Sequence, residues 1–436
     1  MLELRKKEGG ATVEFENNIK TSNGVNVYFY KNPALHGFYI SLFVRAGVMY
    51  EDEKYSGITH FFEHAAIRNV NKLYGMNLYS MLDKYGIDFN ASTFSEMVQF
   101  YVSGADRHFD IGAEIISKLL EPITLAKSEI DAERKRIKAE IRESDEKSSL
   151  ASFTNKIVFD NTSLASSIVG TNASIDRVSA AALEKYRKDI LTTENIFFYV
   201  TGSFTESDIK SLCEKIERAE LLLGEKRDNT APVPNNFGKR DGEIHVKNAD
   251  FALVRFTFDL DMSRYSIAEM DILYDILLSG YNSKLFVEMS ENRGLFYDIS
   301  GASERYKNIG TLHFSFEIKD KDIPESVAIV VDILNSLKEN LLDDRECMKA
   351  EYVDNAYMLY DDSRELNFTF SYDNHIMGAN YSSVEDRKNA YSSVTPSRIR
   401  EIASEIFRQQ NLTLTMKAKS KLVDKQKIKD ILWRLK

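Results

Sequence analysis

Two stretches about half a chain apart follow one plan. "MLDKYGIDFNAS", followed by "MVQFYVSG", reads as a helix end, a glycine, a strand and a second strand; "SENRGLFYDISG", followed by "TLHFSFEI", reads the same way. Further on, "ERKRIKAE" (133–140) matches "DRECMKAE" (344–351). The two glycines are 294 − 86 = 208 positions apart, and the two final glutamates 351 − 140 = 211. A near-constant offset over so long a stretch is what a tandem duplication leaves behind. Such a chain folds as two like halves, not around one large core. Its length agrees, because 436 residues exceed what a single core holds together. Between the halves, "GEKRDNTAPVPNNFGKRDGE" (224–243) is polar, with two prolines, and follows a helix expected to end near Leu223. The expected domains are 1–223 and 244–436, joined by 224–243.

Within the first half, "VNVYFYKN" and "FYISLFVRAG" alternate in the manner of strands. An amphipathic helix follows, then a second, "YSMLDKYG", that stops at Gly86. "IDFNASTF" and "MVQFYVSG" are two further strands. Helical patterns run from about Asp110 to Ser148, interrupted near Pro122, and again through 150–192; "NIFFYVTGSF" returns as a strand. The mixture is α+β.

The net charge is −10, and basic residues form no stripe, which argues against nucleic acid as a partner. No apolar run approaches the length of about 18 residues that a membrane span needs. The first residues lack the apolar stretch of a secretory signal and are too acidic for a transit peptide. Two cysteines far apart, Cys213 and Cys347, suit a reducing compartment. The expectation is a cytoplasmic protein.

The chemistry is concentrated in "SGITHFFEHAAIRN" (56–69). On a helix, His60 and His64 lie one turn apart on one face, so both imidazoles can reach one ion. Glu63 lies beside them, in the H-x-x-E-H order. A catalytic zinc needs a third protein ligand and an open position for water. "SEIDAERKRIKAEIRES" offers Glu129, Glu133, Glu140 and Glu143. Glu133 and Glu140 share a face, and the isoleucines beside Glu140 make it the carboxylate best placed to turn inward. Apolar neighbours Ile58, Phe61, Phe62 and Ala65 imply a buried helix. There, two histidines and a glutamate are costly unless paired or bound to metal.

These residues resemble the pitrilysin/insulinase metallopeptidases, in the branch of mitochondrial processing peptidase and its bacterial relatives. "RAGVMYEDEKYSGITHFFEH" is similar to the family's A-G-S…E…G-x-A-H-x-x-E-H. The family's third ligand follows the second histidine by about 76 residues, and 140 − 64 = 76 selects Glu140. A further functional glutamate seven positions earlier selects Glu133. "FNASTFSEMVQFY" resembles the segment bearing the substrate-binding edge strand, here Asn90, Ala91, Ser92 and Thr93. "NRGLFYDIS" resembles the second-half R-G-L-A-Y-S-V, which makes Arg293 a substrate contact and Tyr297 a catalytic residue. The outer arginine of that motif is Ser290 here, and "LSGYNSKLF" lacks the family's glycine run.

The resemblance implies two tandem α/β-sandwich halves, each an antiparallel-rich sheet of about six strands backed by helices, closing clam-like on a peptide chamber. Domain 1–223 carries the metal; 244–436 is a degenerate half for substrate contact and dimerisation. It implies a zinc endopeptidase in which His60, His64 and Glu140 hold Zn2+, Glu63 is the general base and Glu133 orients a ligand. Short or unfolded peptides are the substrates it implies, such as a leader, a presequence or degradation fragments. The partner is a second copy, or a paralogue supplying the missing arginine. The alternative is a non-catalytic scaffold or peptide-binding subunit of the same family.

Overall fold

The computed structural model describes residues 15–143, 149–296, 299–340 and 349–435, which form two compact units. The first unit holds a six-stranded sheet. Its strands are β1 (Asn17–Lys20), β2 (Asn26–Lys31), β3 (Gly37–Val44), β4 (Asp88–Thr93), β5 (Val98–Ala105) and β6 (Ile196–Gly202), in the order β1-β2-β6-β3-β5-β4. Only β2 and β6 run parallel. The central strands are buried on both faces, which is why β6 reads as an unbroken apolar run, "IFFYV". β4, at the edge, has no fully buried residue.

One face of this sheet packs on helices α1 (Ile58–Leu73), α2 (Leu78–Tyr85), α3 (Phe109–Ser117) and α4 (Lys127–Glu143). Phe61 and Phe62 of α1 are almost wholly buried there, each stabilising by about 1.5–3 kcal/mol. The helix expected to run on to Ser148 is seen through Glu143, where the described stretch ends. The opposite face is covered from far along the chain. Leu366, Phe370 and Ile376 pack on Tyr30, Phe43, Phe197 and Tyr199. Asn367 donates to the Tyr199 carbonyl at 2.9 Å and accepts from the Ser41 hydroxyl at 2.7 Å. Residues 355–388 thus belong to the first unit.

The second unit holds β7 (Glu243–Asn248), β8 (Ala252–Asp261), β9 (Ile299–Arg305), β10 (Ile309–Ile318) and β11 (Leu412–Ala418), in the order β7-β11-β8-β10-β9. Helix Leu150–Val158, from the other half of the sequence, belongs to it, with the Thr154 and Thr415 hydroxyls 2.6 Å apart. Without β1, the two sheets have the same strand order, and in both the only parallel pair is the equivalent one, β2/β6 and β7/β11. The edge pairs are offset alike: 299 − 88 = 211 and 309 − 98 = 211. The duplication therefore extends to topology, with six strands in one sheet and five in the other.

The helix expected to end near Leu223 stops at Glu217. Leu222 and Leu223 are exposed, so a further turn would bury no apolar face. Leu222 instead bridges Thr192, and its carbonyl accepts from the Thr193 amide at 3.2 Å. Among the described residues, no helix is long and apolar enough to cross a membrane.

Candidate metal centre

The start of α1 is fixed before its histidines appear. Gly57 sits at φ 86°, where a Cβ would come within 2.8 Å of Gly170 and the Val169 carbonyl. The Glu51 carboxylate accepts from the Gly57 and Thr59 amides at 2.7 and 2.8 Å, satisfying donors that a helix start leaves open. With that phase set, Ile58, Phe61, Phe62, Ala65 and Val70 enter the core. His60, His64, Arg68 and Lys72, four apart, form the stripe that meets α4.

α4 is docked by Ile130, Ile137 and Ile141, and turns carboxylates to that stripe. Lys72 meets Glu129 at 2.8 Å and Arg68 meets Glu133 at 2.7 Å. The other oxygen of Glu133 lies 3.3 Å from His64 Nδ1. At the last rung, Glu140 Oε2 lies 3.7 Å from His60 Nε2 and 3.5 Å from His64 Nε2. These are too long for good hydrogen bonds.

The spacing suits a cation. Donor atoms of His60, His64 and Glu140 all lie within 4.8 Å of one another. Two ligand atoms about 2.1 Å from one zinc at a tetrahedral angle would be about 3.4 Å apart. Two nitrogens and one carboxylate oxygen are also the donors zinc takes in hydrolytic sites. His60 fits as a neutral ligand: burial, with His64 close by, pushes its pKa down to about 4. Its Nδ1 is buried without a hydrogen bond among the described residues. Burial pushes the Glu133 carboxyl up, but His64 and Arg68 outweigh it and hold the group below the usual range. Glu133 thus stays ionised against His64 Nδ1, leaving Nε2 for a ligand position.

Glu63 is buried, and burial raises its pKa. The hydroxyl of Thr93, the last residue of β4, donates to Glu63 Oε2. β4 carries Asn90, Ala91 and Ser92 as well, at the end of the sheet. The Phe94 amide bonds the Met97 carbonyl at 2.8 Å, which marks a hydrogen-bonded pair. By antiparallel alternation, the main-chain groups of Thr93, Ala91 and Phe89 then point away from β5, to the free edge.

Arg293 lies in the second unit, paired with Glu288 at 2.8 Å and nearly half exposed. Ser290 donates to the Phe296 carbonyl at 2.9 Å. Tyr297 lies outside the described residues. Sequence reasoning missed Glu51, Arg68 and Lys72. The basic residues at every fourth position of α1 were the available signal for the last two.

In the second unit, helix Ile267–Leu278 stands where α1 stands in the first, and the 211 offset carries His60 and His64 to Asp271 and Asp275. Asp271 pairs with Arg305 at 2.7 Å and accepts from Tyr391 at 2.5 Å. Burial, then the nearby Asp271 and Glu351 charges, push Asp275 up to about 6. An acid raised in the folded state is penalised once ionised. The cost is absent below the unfolded pKa, near 4, and complete above about 6. Asp275→Asn is therefore expected to stabilise the chain by on the order of 2 kcal/mol at pH 7.5 and hardly at all at pH 4. Calorimetric melting at the two pH values checks this; equal shifts at both would contradict it.

Comparison with known proteins agrees with this architecture. The profile described as Insulinase (Peptidase family M16) matches residues 27–172, and that described as Peptidase M16 inactive domain matches 177–350. The zinc protease YmxG of Bacillus subtilis is 21% identical over 88% of this chain and 94% of its own. A zinc protease of Mycobacterium leprae is 22% identical over 80% and 81%. Among solved structures, a peptidase M16 inactive domain from Pseudomonas fluorescens superposes with a TM-score of 0.79 at 14% identity, covering 92% of this chain and 98% of that one. The periplasmic protease PqqL of Escherichia coli gives 0.76 at 16% identity, over 96% of this chain and 49% of that one. The duplicated α+β fold is that of M16 peptidase halves. The chain belongs to the insulinase family of M16 peptidases.

Proposed function

We propose that the chain is a zinc-dependent endopeptidase that cleaves short or unfolded peptides. One observation carries the reading: three donor atoms, from His60, His64 and Glu140, face one point at zinc-like spacing. Relatives described as zinc proteases support the choice of metal. Bound there, zinc would acidify a water molecule and polarise the scissile carbonyl.

The chain's own residues supply the rest. A peptide pairs with the edge of β4, its backbone on the outward groups of Phe89, Ala91 and Thr93. Glu63 takes the proton of the attacking water and later hands it to the leaving amine. Burial raises its pKa, against the Thr93 hydrogen bond and His64, which lower it. Glu133 holds His64 in one tautomer. By resemblance, Arg293 is assigned to substrate contact and Tyr297 to catalysis. The partner is a second copy or a paralogue. A cytoplasmic location is the reading for compartment, from two cysteines far apart in the sequence, Cys213 and Cys347.

The alternative, a scaffold or peptide-binding subunit, would need neither base nor complete ligand set, and both are retained. The test is metal analysis with a peptide-library digest, run alone and with a co-purified paralogue. About one zinc per chain and cleavage lost to o-phenanthroline and restored by zinc are expected. Zinc-loaded chain that binds peptides but cuts none under either condition would favour the scaffold.

A further inference from the structure

We propose that Thr93 is a positioning residue for Glu63 that couples peptide docking on the sheet edge to proton transfer. This deepens the reading of Glu63 as the base and rests on it.

Thr93 acts in two directions. Its side-chain hydroxyl donates to Glu63 Oε2, the one hydrogen bond the Glu63 carboxylate makes among the described residues. Its main chain pairs with Val98 in a non-bonded position of the ladder, so its amide and carbonyl face the free edge. One residue therefore touches the base and would also touch the substrate backbone.

The physics favours a real constraint. The terminal torsion of a glutamate is broad and nearly two-fold, so a buried carboxylate needs a bond to select one orientation. A β-branched threonine is stiff about χ1 and places its hydroxyl with little freedom. Donation to Oε2 leaves Oε1 as the oxygen free to accept a proton. The contact joins residues 30 apart in sequence, on a helix and a strand that pack together. A peptide that pairs with Thr93 steadies the end of β4 and with it the base. Docking and proton acceptance then share one register.

The experiment compares Thr93→Val, which removes the hydroxyl and keeps the shape, with Thr93→Ser, which keeps the hydroxyl. Turnover of a fluorogenic peptide, zinc content and the difference-infrared band of the Glu63 carboxyl are measured. That band is assigned by its loss in Glu63→Gln. Thr93→Val is expected to lower kcat by about 10–100-fold with KM within about twofold, since main-chain pairing survives. Zinc content stays at the wild-type level and the Glu63 band moves. Thr93→Ser returns kcat to within a few fold and the band to its place. Wild-type kcat in Thr93→Val, with Glu63→Gln inactive, overturns the positioning role and leaves the base standing. Loss of zinc, or a loss of activity carried by KM, reassigns Thr93 to structure or binding and overturns it too. Full activity in Glu63→Gln removes the base itself, and the coupling goes with it, even if the band still reports the contact.

Discussion

Glu63→Gln is expected to lower kcat by about 10³-fold while zinc stays bound and KM changes little. The substitution is nearly isosteric. The Gln carbonyl still accepts from the Thr93 hydroxyl, so the side chain keeps its place. What it loses is the ability to take a proton. The neighbouring carboxylates offer no substitute. Glu133 is held between His64 and Arg68, and Glu140 faces the two imidazoles. Zinc retention is expected because Glu63 is outside the donor cluster. Single-turnover cleavage with parallel zinc analysis checks the pair of outcomes. A Glu63→Gln chain that cleaves at the wild-type rate would show that another group accepts the proton.

The features legible in the sequence are those fixed by local periodicity. His60 and His64 share a face because a helix repeats every 3.6 residues, and the apolar neighbours that imply burial are buried. Ile137 and Ile141 are in the core as read, but the carboxylate of α4 that turns fully inward is Glu133, while Glu140 stays over a third exposed beside the two imidazoles. β4 and β5 were read from alternation, and α2 from its stop at Gly86, which sits at φ 62°. What depends on how elements meet was not legible. The Thr93–Glu63 contact needs the angle between a helix and a strand. The bond from Arg68 to Glu133 needs the axial register of α1 on α4. Leu366, Phe370 and Ile376 form an apolar face, but nothing in that pattern says which sheet it covers. Nor did the motif around Arg293 foretell its pairing with Glu288, a contact local to that turn.

The second large effect concerns metal affinity. Glu140→Gln is expected to weaken zinc binding by far more than Glu133→Gln, and the order of their stabilities should be reversed. Glu140 is over a third exposed. Its nearest described cation is Arg136, whose Nε lies 3.8 Å from Oε1. Neither imidazole is close enough to bond it well. Replacing it should shift stability by no more than about 0.5 kcal/mol, as surface changes do. The zinc site, however, would lose one of its three ligands, the one that carries a negative charge. Glu133 is the opposite case. It is buried, bonded to Arg68 and close to His64 Nδ1. Glu133→Gln leaves the Arg68 guanidinium without its counter-charge, at about 1–3 kcal/mol of folding stability. The amide oxygen can still accept from His64, so zinc affinity should fall only by the ~10–100-fold typical of an outer partner. Chelator-competition titrations, with melting of the metal-free proteins, separate the two. Unchanged zinc affinity in Glu140→Gln would leave two histidines on one helix with no third ligand. Hydrolysis would then have to be assigned to another site or withdrawn.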